Sequence, residues 1–443
     1  MGERNSKFGT DPVGSLLFQQ AVPAAVGILV LSIYGIVDTI FVGRFVGSLG
    51  IAAITVVLPI SFLISSIGMA IGVGGASMIS RALGDSNHER AYSTFGNQLG
   101  LTMTLGVIFV VFGMYFQEPI VKLFGGKGEV LIAAKEFFTI TLYGVPFLAW
   151  AMMSNNVIRA EGYPKVAMFT LIVPAVCNII LDPIFIVVLN MGLAGAAWAT
   201  TLSYVASAGY TLWFFVYGRS SMKISLKYLK PNLLILKEIS SLGSVTLARQ
   251  GTVSVLAIVL NNVLFNHGGE MALSVYGIIN RVMMFANFPV LGITQGFVPI
   301  VGYNYGARKK DRVHLAIRLA LRYASLIALG IFVAILAFTA TLVEVFTNDQ
   351  LLLEETVPAM RRVFMATPLL AFSLIGSAYF QAVGKPKPAL LLALSKQGLF
   401  LIPLVFVMPM VFGLEGVWYA FPLADTGAAA ISYFYLKKGE GAL

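Results

Sequence analysis

Apolar runs long enough to cross a bilayer recur from residue 16 to residue 437, separated only by short polar stretches. A span needs about 20 mostly apolar residues. Runs of this length can satisfy their backbone in lipid only as helices. They fall near 16–43, 51–79, 95–117, 130–156, 165–190, 194–217, 239–266, 272–302, 318–340, 357–381, 388–411 and 416–437, predicting twelve spans. Composition agrees: 58% of the 443 residues are hydrophobic and 11% charged, with a mean hydropathy of +0.86. A soluble domain carries about 25% charged residues. No connecting segment could form a soluble domain, so a soluble enzyme is excluded.

Other classes fall on the same inventory. The single cysteine, Cys177, allows no internal disulfide and no cysteine metal site. His88, His267 and His314 are far apart in or beside polar segments, which suits solvated histidines better than a metal centre. No phosphate-binding G-x-x-x-x-G-K-[ST] loop occurs, and the first apolar run is too long for a signal-peptide core. The net charge of +10 is scattered between the apolar runs, so it reports membrane topology and predicts no nucleic-acid partner.

Lysine and arginine set the orientation. Twenty of them fall at the two termini and in the even-numbered loops, against three (Arg44, Lys122 and Lys127) in the odd-numbered loops. Positive charge stays on the cytoplasmic side. The expectation is a multi-pass protein of the cell (inner) membrane with both termini cytoplasmic.

The chain also repeats itself. Gly84–Arg90 aligns with Gly306–Arg312, and Gly162–Lys165 with Gly384–Lys387, both at an offset of 222. Gly192–Ala199 aligns with Gly413–Ala420 at 221. Each unit holds six helices, an even number, so both copies enter the membrane in the same sense, related by a pseudo-two-fold axis along its normal. The predicted fold is an all-α polytopic membrane protein of two six-helix bundles. The expected domains are 1–217, a basic linker 218–238 containing Pro231, and 239–443. Two facing bundles form a cleft, a design that secondary transporters need and channels rarely do.

Ionisable groups far from a helix end mark function in a membrane. Asp38, Asp182 and Asp425 qualify. At about 1.5 Å per residue, Asp38 lies roughly 8 Å from the outer end of span 1. Asp182 in span 5 and Thr200 in span 6 fall at a similar level. Asn178 stacks one turn from Asp182, and Tyr34 one turn from Asp38. Pro183 removes a backbone donor and frees a carbonyl. Hard oxygen groups suit Na⁺, and a carboxylate pair sharing a proton suits H⁺. The richness of the set favours Na⁺, with protons competing for the same carboxylates. The second half lacks an equivalent: Asp182 maps to Leu404. It carries Asp425 among Arg249, Arg281 and Lys396, either a structural ion-pair cluster or a substrate contact.

Asp38–Gly43, the loop Arg159–Lys165 and Asn178-x-x-x-Asp182-Pro183 together resemble the multidrug and toxic compound extrusion (MATE) transporters. The resemblance spans essentially the whole chain and is greatest to the branch with its cation site in the N-terminal half. It implies cation-coupled export of varied, often cationic organic compounds, with no cofactor beyond the coupling ion. It implies a coupling site at Asp38, Asn178, Asp182 and Thr200, supported by Tyr34 and by Asn155 on span 4. Pro23 matches a family position linked to bending of the first helix, and a static kink and a moving hinge both stay open. The other branch has a glutamate in span 7; this chain has Ala248-Arg249-Gln250-Gly251 there, which argues against a second ion site. The expected partners are small organic substrates and the lipid bilayer, with the protein acting as a monomer. The alternative function is a flippase or exporter for a lipid-linked or endogenous metabolite. A channel or membrane enzyme fits less well, since no filter-like motif and no clustered catalytic residues are present.

Overall fold

A computed structural model of the chain describes residues 3–441, and among them every regular element is helical. In order these are α1 (Glu3–Thr10), α2 (Val13–Phe45), α3 (Ser48–Gly84), α4 (His88–Tyr115), α5 (Gln117–Leu123) and α6 (Gly128–Ala160). Then follow α7 (Pro164–Asp182), α8 (Gly192–Tyr217), α9 (Leu233–Gly306), α10 (Lys310–Glu344) and α11 (Gln350–Val363). The last four are α12 (Leu370–Ala382), α13 (Pro386–Leu394), α14 (Ile402–Phe412) and α15 (Leu414–Gly441).

Grouped into spans, these helices give the expected twelve. α9 covers 74 residues but breaks at Gly269, where φ is 60° and ψ −152°. That break falls between the seventh and eighth apolar runs, so α9 is two spans. α7 continues through a π-helical turn, Pro183–Val188, and α13 joins α14 through another, Ser395–Leu401. α11 and α12 are joined by the single turn Thr367–Leu369. The short helices α1 and α5 lie outside the expected runs.

The repeat is written into the backbone. Ser86 and Arg308, 222 residues apart, have φ of 56° and 55°; Gly162 and Gly384 have 85° and 78°; Gly192 and Gly413 have 55° and 57°. A left-handed conformation costs a residue with a Cβ about 1–2 kcal/mol, so the pairs mark turns that both halves must make in the same way. Side-chain ties recur too. Asn155 Nδ2 donates to the Ala167 carbonyl at 2.6 Å, and Ser377 Oγ to the Ala389 carbonyl at 3.0 Å, both residues 222 further along.

The chain forms two compact units that do not divide simply at the linker. The first holds α1 and Val26–Gly243; the second holds Asp11–Ala25 and the chain from Ser244 onward. Each half thus lends the opening turns of its first span to the other unit. Within the first unit, Gly74 of α3 lies so close to the Ile239 carbonyl that a Cβ would collide with its oxygen. Within the second, Gly296, 222 residues after Gly74, meets Gln20, where a Cβ would stand 2.7 Å from that of Gln20. Small residues at such contacts let helix backbones approach in lipid, where no hydrophobic force drives association.

The linker segment is strapped to the first unit. Buried Glu161 accepts from Ser220 Oγ (2.7 Å), from Ser221 N (2.7 Å) and from Met222 N (3.1 Å). Glu238 bridges Arg81 and Arg90, both at 2.9 Å. Burial pushes the Glu161 carboxyl above the usual carboxylate range, against the opposing pull of these hydrogen bonds. The folded chain then holds this proton more tightly than the unfolded chain. Stability from this group is therefore present at low pH and is lost as pH rises from about 4.3, the unfolded value, through the raised folded one. Glu161→Gln keeps one accepting oxygen and removes the titration. Melting profiles from pH 5 to pH 8 should slope less in the variant; an unchanged slope would remove Glu161 as the source.

Candidate functional site

The site grows from the end of α7. Asn178 and Asp182 stack on one face at i and i+4, and both are fully buried. Pro183 has no N–H, so the Ile179 carbonyl loses its regular helical donor, and the helix relaxes into the wider π turn. That turn ends in a hydrogen bond from Leu189 N to the Ile184 carbonyl at 2.9 Å. The chain then reverses at Gly192, and α8 returns along α7. Gly195 permits the return, because a Cβ there would stand 2.9 Å from the Phe185 carbonyl oxygen. The same approach recurs 221 residues on, where Gly416 faces the Met408 carbonyl.

This packing brings Thr200 to Asn178. The amide Nδ2 donates to Asp182 Oδ1 at 3.3 Å and to Thr200 Oγ1 at 3.5 Å. From α2, Asp38 comes within electrostatic reach of Asp182, and Tyr34 lines the same pocket as Thr200. Tyr34 also meets Tyr204, which the sequence reading did not single out. Its signal was present: Tyr204 stands four residues after Thr200, on the same face of α8. A cavity of about 70 Å³ adjoins the cluster, lined by Tyr34, Asp38, Thr200 and Tyr204 among mostly apolar neighbours. A water occupies about 30 Å³ of liquid, so the space suits an ion or one or two waters, not a drug.

Among the described residues, three buried oxygens in this cluster have no donor: Asp38 Oδ1, Asn178 Oδ1 and Asp182 Oδ2. An unsatisfied buried polar atom costs about 1–3 kcal/mol, and more when charged. Two bare carboxylates also repel, by about 4 kcal/mol at 4 Å in an effective dielectric of 20. One proton or one small cation among these oxygens answers both costs.

The other expected residues are placed differently. Asn155 spends its amide on the Ala167 carbonyl and on Thr170 Oγ1, both at 2.6 Å. Thr170 is about 18 Å along α7 from Asp182, and the Ser377 bond shows the same tie in the second half. These bonds tie Asn155 of span 4 to span 5. Pro23 lies inside the continuous helix α2, just before it passes from the second unit into the first.

In the second unit, Lys396 and Asp425 form an ion pair at 2.6 Å. Arg249 Nη2 donates to Ser377 Oγ at 3.0 Å. Arg281 is exposed and forms no part of that pair. The expected four-residue cluster is thus one ion pair, one separate arginine and one exposed arginine.

The model of the MatE family matches residues 23–184 and 249–407, one stretch in each half. The chain belongs to the MatE family. Its similarity to family relatives runs nearly end to end. It is 27% identical over 433 residues to the multidrug export protein MepA of Staphylococcus aureus (strain MRSA252), covering 97% of this chain and 95% of MepA. It is 29% identical over 427 residues to the MepA of Staphylococcus saprophyticus, covering 94% and 92%. Among solved structures, it matches an outward-facing multidrug resistance MATE family transporter with a TM-score of 0.94 at 25% identity, covering 100% of this chain and 99% of that one. The twelve-span, two-bundle architecture is that of the MatE family.

Proposed function

We propose that this protein is a secondary active multidrug exporter, not an enzyme, that expels organic compounds, often cationic, in exchange for Na⁺ or H⁺. Family membership and the MepA relatives support the export. The observation that carries the coupling is the paired carboxylates, Asp38 and Asp182, with three buried oxygens lacking donors. In this reading Asp38, Asn178, Asp182 and Thr200 take the cation, while Tyr34 and Tyr204 hold the set in place. Pro23 serves as a hinge in α2, since it weakens the helix close to the passage between units. The positive-inside count supports a cell-membrane protein with cytoplasmic termini. We read 1–217 and 239–443 as the two bundles, 218–238 as their linker, and the monomer in its bilayer as the working form, without nucleic acid or cofactor.

Na⁺ is the better fit as occupant, with protons competing for the same carboxylates. A proton needs one carboxylate; Na⁺ needs several oxygens at once, and here an amide and a hydroxyl stand with the two acids. Proteoliposomes given Na⁺ and H⁺ gradients in turn test both the export and the ion. Thr200→Val is nearly isosteric and removes one oxygen. It should weaken Na⁺-driven export by roughly threefold to tenfold, about the loss of one polar contact. Normal transport by this variant, with a pH gradient sufficing alone, would make the site a proton site.

A further inference from the structure

We propose that the second unit holds a binding pocket for amphiphilic organic compounds that carry an acidic group, centred on Arg249. A cavity of about 740 Å³ is lined by residues of this unit. Pockets for drug-sized ligands run from about 300 to 1,000 Å³, so this one accepts a cargo, whereas the cavity beside Asp38 accepts an ion.

Its electrostatics are opposite to those of the carboxylate site. Among the described residues, Arg249 and Lys396 are the charged groups lining it, and no carboxylate does. Lys396 is neutralised by Asp425, behind the lining. Among the described residues, Arg249 has only the neutral Ser377 hydroxyl as a hydrogen-bond partner and no carboxylate within 4.0 Å. A structural ion-pair cluster accounts for Lys396 and Asp425 and leaves Arg249 unexplained. Arginine stays protonated, and its planar fork offers five donors, of which Ser377 takes one. An uncompensated guanidinium facing a low-dielectric cavity repels a cation and matches a carboxylate, which it can grip with two parallel bonds.

The remaining lining fits the rest of such a molecule. Gln397 Oε1 is buried without a donor, so it can accept from an N–H or O–H of the ligand. Gln397 and Lys396 both sit in the π turn Ser395–Leu401, and such widened turns often occur at functional sites. Tyr276, Phe421 and Met283 supply apolar walls for an aromatic or alkyl body, and methionine adapts to varied shapes. The inference rests on the exporter reading for its meaning and extends the cargo from cations to acids and zwitterions.

The test is equilibrium binding to the purified full-length protein in lipid nanodiscs, with no gradient, using dansyl-phenylalanine and its methyl ester as fluorescent probes. The wild type should bind the acid at least about tenfold more tightly than the ester, as a charge-assisted bidentate contact implies. Arg249→Gln should bring the two within about twofold, largely through loss of acid binding. Arg249→Lys, which keeps the charge without the fork, should retain part of the preference. Arg281→Gln, exposed and outside the lining, should retain all of it. Equal binding by the wild type, or an intact preference in Arg249→Gln, would overturn the pocket. If the preference holds while proteoliposomes export nothing, the exporter reading falls and the pocket stands. Export without any acid preference removes the pocket and leaves the exporter.

Discussion

Asp38→Asn and Asp182→Asn should each reduce gradient-driven export to the level of empty vesicles, and neither should unfold the protein. Asparagine keeps the shape of aspartate but can neither bind a transported proton nor present a negative charge to Na⁺. The stability outcome has a definite sign. In Na⁺-free buffer the wild type holds two carboxylates against each other, so removing one charge should leave the melting temperature equal or higher. Added Na⁺ should then raise the wild-type melting temperature, since a ligand at 100 times its dissociation constant contributes about 2.7 kcal/mol. The variants should lose that Na⁺ response together with transport. Full export by either variant would take that residue out of the mechanism. Loss of export with an intact Na⁺ response would make the residue a substrate contact.

The opposite sign is expected for the acid in the other unit. Asp425→Asn should lower the melting temperature and the yield of folded protein, because Lys396 loses its partner at 2.6 Å. Breaking a buried pair from one side costs about 3–5 kcal/mol. The Lys396 side chain is 20% exposed against 7% for Asp425, and it borders the cavity, so the lower end of that range applies. The double variant Lys396→Met, Asp425→Asn removes both charges and should recover most of the loss. Ion dependence of export should persist in both. A stable Asp425→Asn protein that exports without any ion dependence would place the coupling site in the second unit.

Much of this protein is legible before folding. Bilayer thickness dictates the length of an apolar run, so twelve runs become twelve spans, and even the break in α9 falls between two of them. The repeat is legible because its marks are turn residues, which keep the same backbone geometry in both halves, as at Gly192 and Gly413. Asp38, Asn178, Asp182 and Thr200 are also legible, since polar groups deep in apolar runs have few structural uses. Helix spacing alone puts Asn178 over Asp182.

Other features depend on which helix packs against which. Spans that are hydrophobic on every side carry no stripe to say which face turns inward. Depth along a helix follows from counting, but azimuth does not. Arg281 and Arg249 therefore share a level in the sequence reading, while the structure exposes one and sets the other on a cavity. Asn155 has the chemistry of a site residue, and only its packing against Thr170 assigns it to a tie between helices. The exchange of opening turns between the units, residues 11–25 against 233–243, is likewise invisible in a linear chain. The sequence by itself determined the spans, the repeat and which acids lie deep in the apolar runs. Tertiary structure decided which polar groups meet, because contact is set by the rotation of each helix about its axis, and uniformly apolar helices do not encode that rotation in their own residues.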